Sequence, residues 1–99
     1  MSGLTGASGA ESVRVHVQVT GRVQGVWFRD SCREQARAIG VGGWVRNRAD
    51  GAVEAEFEGA PAAVDRMVAW CRTGPPRARV DAVDAKTVPT SGDRRFRVL

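Results

Sequence analysis

Apolar and polar residues alternate in two separate parts of the chain. Between Val13 and Val19 every second residue is valine. A period of two is typical of a strand with one buried face, so we predict a first strand from Val13 to Thr20. The same period recurs between Ala52 and Glu58, where apolar residues alternate with three glutamates, and it predicts the third strand.

Two other stretches carry apolar residues at three- and four-residue steps, which predicts helices packed by one face. The first should run from about Trp27 to Ile39 and end at Gly40 in a left-handed cap. The second should begin near Pro61 and stop at Gly74. The predicted buried stripes consist of Phe28, Cys32, Gln35 or Ala36, and Ile39 in the first helix and of Val64, Met67, Val68 and Cys71 in the second.

The remaining strands are predicted at Gly43–Arg48, Val80–Val88 and Phe96–Val98, although the pattern leaves the facing of Val80–Val88 open. The order is βαββαβ with a short extra C-terminal strand. Right-handed crossovers then place both helices on one face of an antiparallel sheet, so residues 13–99 are predicted to form an α+β, ferredoxin-like two-layer sandwich. Residues 1–12 are rich in Gly, Ser, Thr and Ala without periodicity, and we predict a disordered tail.

Composition narrows the class of protein. The 99 residues allow one domain, and 42% apolar with 26% charged residues is typical of a globular protein. No apolar run approaches the roughly 18 residues that span a bilayer, and no secretion signal is evident, so we expect no membrane association and a cytoplasmic protein. The net charge of +4 suits anionic metabolites or nucleic acid.

The chain has two cysteines and one histidine. Cys32 and Cys71 fall on separate predicted helices, and we expect reduced, buried thiols, with a disulfide between the helices left open. Neither has a partner at metal-ligand spacing, so we predict no metal site. His16 lies on the polar side of the first strand, where a solvent-facing or core-edge role is expected rather than catalysis.

The link between the first strand and the first helix has the features of an anion site. Gly21 and Gly25 bracket a turn that leads into the helix, where unpaired N–H groups can face a ligand. Arg29 adds a guanidinium one turn into that helix. The segment has neither the Walker A pattern nor the dinucleotide-binding glycine pattern. By itself it could equally be an ordinary turn followed by a surface arginine.

The complete string from Gly21 to Arg29, GRVQGVWFR, resembles the first signature of the acylphosphatase family. A second signature follows from Gly43 to Gly59, with the run GWVRN ending at Asn47. The resemblance implies a ferredoxin-like enzyme that hydrolyses small acyl phosphates by attack of water on phosphorus. It implies no metal and no cofactor, a monomeric state, and inorganic phosphate or sulfate as a product-like ligand.

The resemblance also implies roles for individual residues. Arg29 would hold the phosphoryl oxygens, and the side-chain amide of Asn47 would orient the attacking water. The backbone N–H groups expected to line the phosphate cradle belong to Arg22, Val23, Gln24, Gly25 and Val26. Many family members carry Ser or Thr directly after the asparagine, where this chain has Arg48. The Gln24 side chain could instead brace the loop.

Two other functions are compatible with this topology. An RNA-binding module would need exposed aromatic residues on its central strands. Trp27 and Trp44 are instead expected at the edge of the site or in the core, and the glutamates of the third strand should repel a phosphate backbone, so no nucleic-acid partner is expected. A folded domain without activity that serves only as a binding partner is the other alternative.

Overall fold

The computed structural model describes residues 11–99, so most of the predicted tail lies outside the described residues. The elements follow the order βαββαβ plus a short last strand, as predicted. They are β1 (Val13–Arg22), α1 (Phe28–Ile39), β2 (Gly42–Asn47), β3 (Val53–Gly59), α2 (Pro61–Thr73), β4 (Arg79–Val88) and β5 (Phe96–Val98).

The five strands form one sheet in the order β4-β1-β3-β2-β5. Every pairing among β1 to β4 is antiparallel, whereas β5 lies parallel to β2, which makes the sheet mixed. The two helices contact each other and pack on one face of the sheet. This arrangement confirms the predicted ferredoxin-like α+β sandwich and adds the direction of the last strand. No helix in residues 11–99 has both the length and the apolar character needed to cross a membrane.

The core lies between the helices and one face of the sheet. Val17 and Val19 of β1 and Phe57 of β3 are fully buried there, as the alternation predicts. Phe28 and Met67 close the core from the two helices. Because the predicted stripes of α1 and α2 both point into this layer, the helices are fixed in rotation as well as in position.

A β-bulge explains why the facing of β4 is ambiguous in the sequence. The register between β1 and β4 shifts at Thr20 and Gly21, so that Asp81 is left without a partner in β1. Val80 and Val83, three residues apart, therefore both pack against the core. Gly21 has a φ of 128°, and a Cβ there would collide with the carbonyl oxygen of Arg79.

The uncovered face of the sheet carries a network of ion pairs. Arg14 is only 5% exposed, and its guanidinium lies 2.6 Å from Glu56 and 2.8 Å from Glu58. Glu58 also accepts hydrogen bonds from the N–H groups of Ser91 and Gly92, which connect the loop before β5 to the C-terminal end of β3. Burial opposes ionisation of Glu58, but these hydrogen bonds and Arg14 outweigh it and lower its pKa.

On the same face, the glutamates of β3 are paired with basic side chains, whereas a repelling row of glutamates was expected. Glu54 accepts hydrogen bonds of 2.7 Å from both His16 and Arg46. Burial opposes ionisation of Glu54, yet His16 and Arg46 together lower its pKa. Trp44 packs edge-on against His16, with ring centroids 6.3 Å apart. Arg14 and Arg46 thus pair with carboxylates of β3, and His16 lies half-buried on the uncovered, solvent-facing side of the sheet, one of the two positions expected for it.

Candidate active site

The loop between β1 and α1 turns sharply through two residues in the left-handed region. Gly25 has a φ of 74° and Trp27 a φ of 67°. Val23 and Val26 are buried and anchor the loop to the core. Among the described residues, no main-chain carbonyl accepts a hydrogen bond from the N–H groups of residues 23–27. These amides are therefore available to an anion or to water.

A cavity of about 240 Å³ opens beside this loop. It is lined by Val23, Gly25, Trp27, Phe28, Arg29, Asp30 and Asn47. Of the predicted site residues, the cavity brings together Arg29, Asn47, Val23 and Gly25. Arg22, Gln24 and Val26, which were also predicted for the cradle, are not part of its lining.

Arg29 reaches the cavity from the first turn of α1. Its side chain is exposed, and Nη1 lies 3.5 Å from the main-chain oxygen of Leu99. The N–H of Leu99 in turn donates a 2.9 Å hydrogen bond to the carbonyl of Val45 on β2. Leu99, which directly follows β5, therefore provides a contact for the Arg29 guanidinium. This contact lies beside β2, the strand that carries Asn47.

Asn47 is the last residue of β2 and enters the cavity from the sheet side. Its Oδ1 is buried and has no hydrogen-bond partner in the described part of the chain. Asn47 lines the same cavity as Arg29, so a carboxamide and a guanidinium are brought together there. The Arg48 side chain, directly after Asn47, contacts Asp50 at 3.2 Å.

Gln24 links the loop to the sheet. Its Nε2 donates hydrogen bonds of 2.7 Å to the carbonyl of Arg48 and 2.9 Å to the carbonyl of Ala52. These carbonyls flank the turn between β2 and β3. The expected alternative for this side chain, bracing the loop, is therefore observed.

Three lining residues were not identified as site residues from the sequence. Phe28 and Trp27 were assigned to the helix stripe and to the site edge or core, yet Trp27 is 68% exposed. Asp30 lies in the first turn of α1, where the helix dipole stabilises a carboxylate. An acidic residue is therefore common at such a position, and nothing in the sequence indicated that this one lines an anion site. Within residues 11–99, no group of three or more His, Cys, Asp and Glu side chains is placed to hold a metal ion.

The fold and the site together define a class of protein. The molecule is a small α+β sandwich with a cavity at a helix N-terminus, where free amides and one guanidinium suit a tetrahedral oxyanion. The carboxamide of Asn47, which lines the same cavity, suits a water molecule. These are the elements of a phosphoryl-group site.

Comparison with known proteins identifies the family. The sequence matches the Acylphosphatase family over residues 15–98. It is 57% identical over 88 residues to an acylphosphatase of Rubrobacter xylanophilus, covering 89% of this chain and 80% of the relative, and 53% identical over 90 residues to one of Roseiflexus sp., covering 90% and 97%. The structure of an acylphosphatase from Coxiella burnetii superposes with a TM-score of 0.86 at 35% identity, covering 89% of this chain and 93% of that one. The chain belongs to the acylphosphatase family, whose known reaction is the hydrolysis of acyl phosphates.

Proposed function

We propose that this chain hydrolyses small acyl phosphates to a carboxylate and inorganic phosphate, with Arg29 and Asn47 as its catalytic residues. The observation that carries the proposal is that Arg29 and Asn47 line one cavity beside the free amides of the loop. A guanidinium and a carboxamide provide separate places for an anion and for a water molecule. Hydrolysis of a phosphoryl compound requires these two positions side by side.

In the proposed reaction, Arg29 and the N–H groups of the loop hold the phosphoryl oxygens. Arg22, Val23, Gln24, Gly25 and Val26 contribute these N–H groups. The donors are aimed where negative charge develops during transfer, and preorganised donors of this kind stabilise a transition state more than the ground state. The free amides of residues 23–27 support this assignment.

Asn47 accepts a hydrogen bond from the attacking water and orients it in line with the bond that breaks. The oxygen of the water forms the new bond to phosphorus, and the bond between phosphorus and the carboxyl oxygen breaks with its electron pair on the carboxylate. An amide is a poor base, so the proton of the water passes to a phosphoryl oxygen. A carboxylate leaves without needing a proton, so the proposed reaction needs no general acid for the leaving group.

The experiment is hydrolysis of benzoyl phosphate by the purified protein in ¹⁸O-labelled water with a metal chelator present. We expect turnover and one ¹⁸O atom in the phosphate. Arg29→Ala should lose about a hundredfold or more in kcat/KM, whereas Arg37→Ala, on the exposed side of the same helix, should retain activity. Label in the benzoate, or full activity of Arg29→Ala, would contradict the proposal.

We also infer the form in which the protein works. Within residues 11–99, the large apolar side chains that are exposed are Trp27 and Leu99, too few for an obligate interface, which supports a monomer. Cys32 and Cys71 are free and buried, which supports a reducing, cytoplasmic environment. Inorganic phosphate or sulfate should occupy the cavity as a product-like ligand. We assign catalysis to residues 13–99, and a variant lacking residues 1–12 should therefore retain the benzoyl phosphatase activity.

A further inference from the structure

Trp27 holds a backbone conformation that does not suit it. Its φ of 67° is the one positive value at a non-glycine position in residues 11–99. Bulky side chains in the left-handed region cost on the order of 1–2 kcal/mol, and glycine at this position would avoid that cost. The residue cannot relax, because its neighbours Val26 and Phe28 are 6% and 2% exposed and fix the main chain on both sides.

The indole of Trp27 also lacks the packing that the other two tryptophans have. Trp44 contacts His16 and the guanidinium of Arg46, and Trp70 packs against Phe28 with ring centroids 5.2 Å apart. Trp27 takes part in no aromatic pair or cation–π contact within the described residues, and it is 68% exposed. Its ring therefore adds an exposed apolar surface to a strained backbone without stabilising the fold. Such a combination at a cavity indicates a functional constraint.

We propose that Trp27 binds the acyl group of the substrate and makes the enzyme selective for aromatic or bulky acyl phosphates. This inference rests on the proposed function. When the phosphoryl group lies against Arg29 and the loop amides, the acyl carbon and its substituent extend towards the open side of the cavity. Trp27 is the exposed aromatic residue among those that line this cavity, so its ring offers the apolar surface that such a substituent needs.

The expected contribution is modest and specific to the substituent. Stacking of two aromatic groups changes an affinity by roughly twofold to tenfold, while a methyl group has too little area for a comparable effect. The contact involves atoms that do not react and is the same in the ground state and the transition state. It should therefore act on KM and leave kcat nearly unchanged.

The test compares benzoyl phosphate and acetyl phosphate in four proteins. These are the wild type, Trp27→Ala, which removes the ring but keeps a Cβ, Trp27→Gly, which also relieves the backbone, and Trp27→Phe, which restores an aromatic ring. Trp44→Ala on the uncovered face of the sheet is the matched control. For each variant, kcat/KM for benzoyl phosphate is divided by kcat/KM for acetyl phosphate. Dividing this ratio by the wild-type ratio cancels the intrinsic difference in reactivity between the two substrates.

We expect Trp27→Ala and Trp27→Gly to lower kcat/KM for benzoyl phosphate by about threefold to tenfold through KM, and that for acetyl phosphate by less than twofold. Trp27→Phe should recover most of the selectivity, and Trp44→Ala should leave it unchanged. An equal loss on both substrates, or a loss in kcat that Trp27→Phe does not restore, would overturn the inference while leaving the proposed function in place. Failure of the wild type to hydrolyse either substrate would overturn the proposed function, and the inference with it.

Discussion

The side-chain amide of Gln24 donates a 2.7 Å hydrogen bond to the main-chain oxygen of Arg48, the residue directly after Asn47. A second hydrogen bond from the same nitrogen reaches the carbonyl of Ala52 at 2.9 Å. The loop that provides the anion cradle is thereby joined to the strand end that carries the water-binding residue. The distance between the two halves of the site therefore depends on one amide group.

Replacing Gln24 should separate these two halves. In Gln24→Glu the carboxylate cannot donate and repels both carbonyls, so we expect a tenfold to hundredfold fall in kcat/KM for benzoyl phosphate and a loss of about 1–3 kcal/mol in the free energy of unfolding. Gln35→Glu, at an exposed position on α1, is the control for the added charge. Steady-state kinetics and urea unfolding measure the two effects. If Gln24→Glu matched the wild type in both kcat/KM and the free energy of unfolding, the hydrogen bonds from Gln24 to the strand end would be dispensable.

Asp30 places a carboxylate in a cavity proposed to bind an anion. Its charge should weaken phosphate binding, because two unit charges near a protein surface still interact by about 1 kcal/mol or more at 4 Å. We expect Asp30→Asn to lower the KM for benzoyl phosphate and the inhibition constant of phosphate by about twofold to fivefold, with a smaller effect at high salt. Glu34→Gln removes a charge one turn further along α1 and should change neither constant. Weaker phosphate inhibition in Asp30→Asn would mean that this carboxylate supports binding.

The ion pairs of the uncovered sheet face should make the free energy of unfolding depend on pH. The pKa values of Glu54 and Glu58 in the folded protein lie below the ordinary value of 4.5. Their pairs therefore stabilise the fold fully above about pH 4.5, and this stability is lost as the pH falls through the lower folded values. Urea unfolding at pH 7, 5, 4 and 3 should show the decline. Equal stability at pH 7 and pH 3 would contradict the lowered values.

Removing one member of the buried pair gives a sharper test. Glu58→Gln removes one of the two glutamates that pair with Arg14, leaving Glu56, and should cost about 1.5–3 kcal/mol at pH 7, with a weaker dependence on acid. Asp81→Asn breaks an exposed pair with Arg79 at 3.3 Å and should cost less than about 1 kcal/mol. Similar losses in the free energy of unfolding of Glu58→Gln and Asp81→Asn would show that burial does not strengthen the pair between Arg14 and Glu58.

The two thiols should be inert in the folded protein. Cys32 and Cys71 are both fully buried, and the hydrogen bond between them together with burial raises the pKa of Cys32. Because the thiolate is the reactive form, we expect a thiol reagent to modify neither cysteine in native buffer and both in guanidinium chloride. Ala38→Cys, at an exposed position of α1, should provide one rapidly reacting thiol as a control. Fast modification of the native wild type would exclude this account.

Much of the fold could be predicted because local patterns agree with the tertiary structure. Val17 and Val19 of β1 and most of the apolar stripes of α1 and α2 are buried as their periods require, while Val13, Val15, Ile39 and Val68 are partly buried against the same core. Asp50-Gly51 lies in the turn between β2 and β3, with a φ of 96° at the glycine. The pairing of Arg29 with Asn47 across one cavity followed from the family resemblance and not from periodicity, since 18 residues separate them in sequence.

Other features depend on geometry that local patterns do not encode. The bulge opposite Thr20 and Gly21 breaks the period of two in β4, so no alternation could give its facing. Burial of Arg14 requires the register that sets it opposite Glu58, which is a relationship between distant strands. The left-handed conformation of Trp27 contradicts its residue type, and residues that contradict local preference are expected at functional sites.

The side-chain amide of Asn47 is proposed to hold the attacking water. The most direct test is the kcat for benzoyl phosphate of Asn47→Ala, measured with its phosphate inhibition constant and free energy of unfolding. We predict a fall in kcat of about a hundredfold or more, an inhibition constant within about twofold of the wild type, and a free energy of unfolding close to that of the wild type, because the Oδ1 of Asn47 has no partner within the described residues to lose. A kcat equal to that of the wild type in this folded variant would contradict the account.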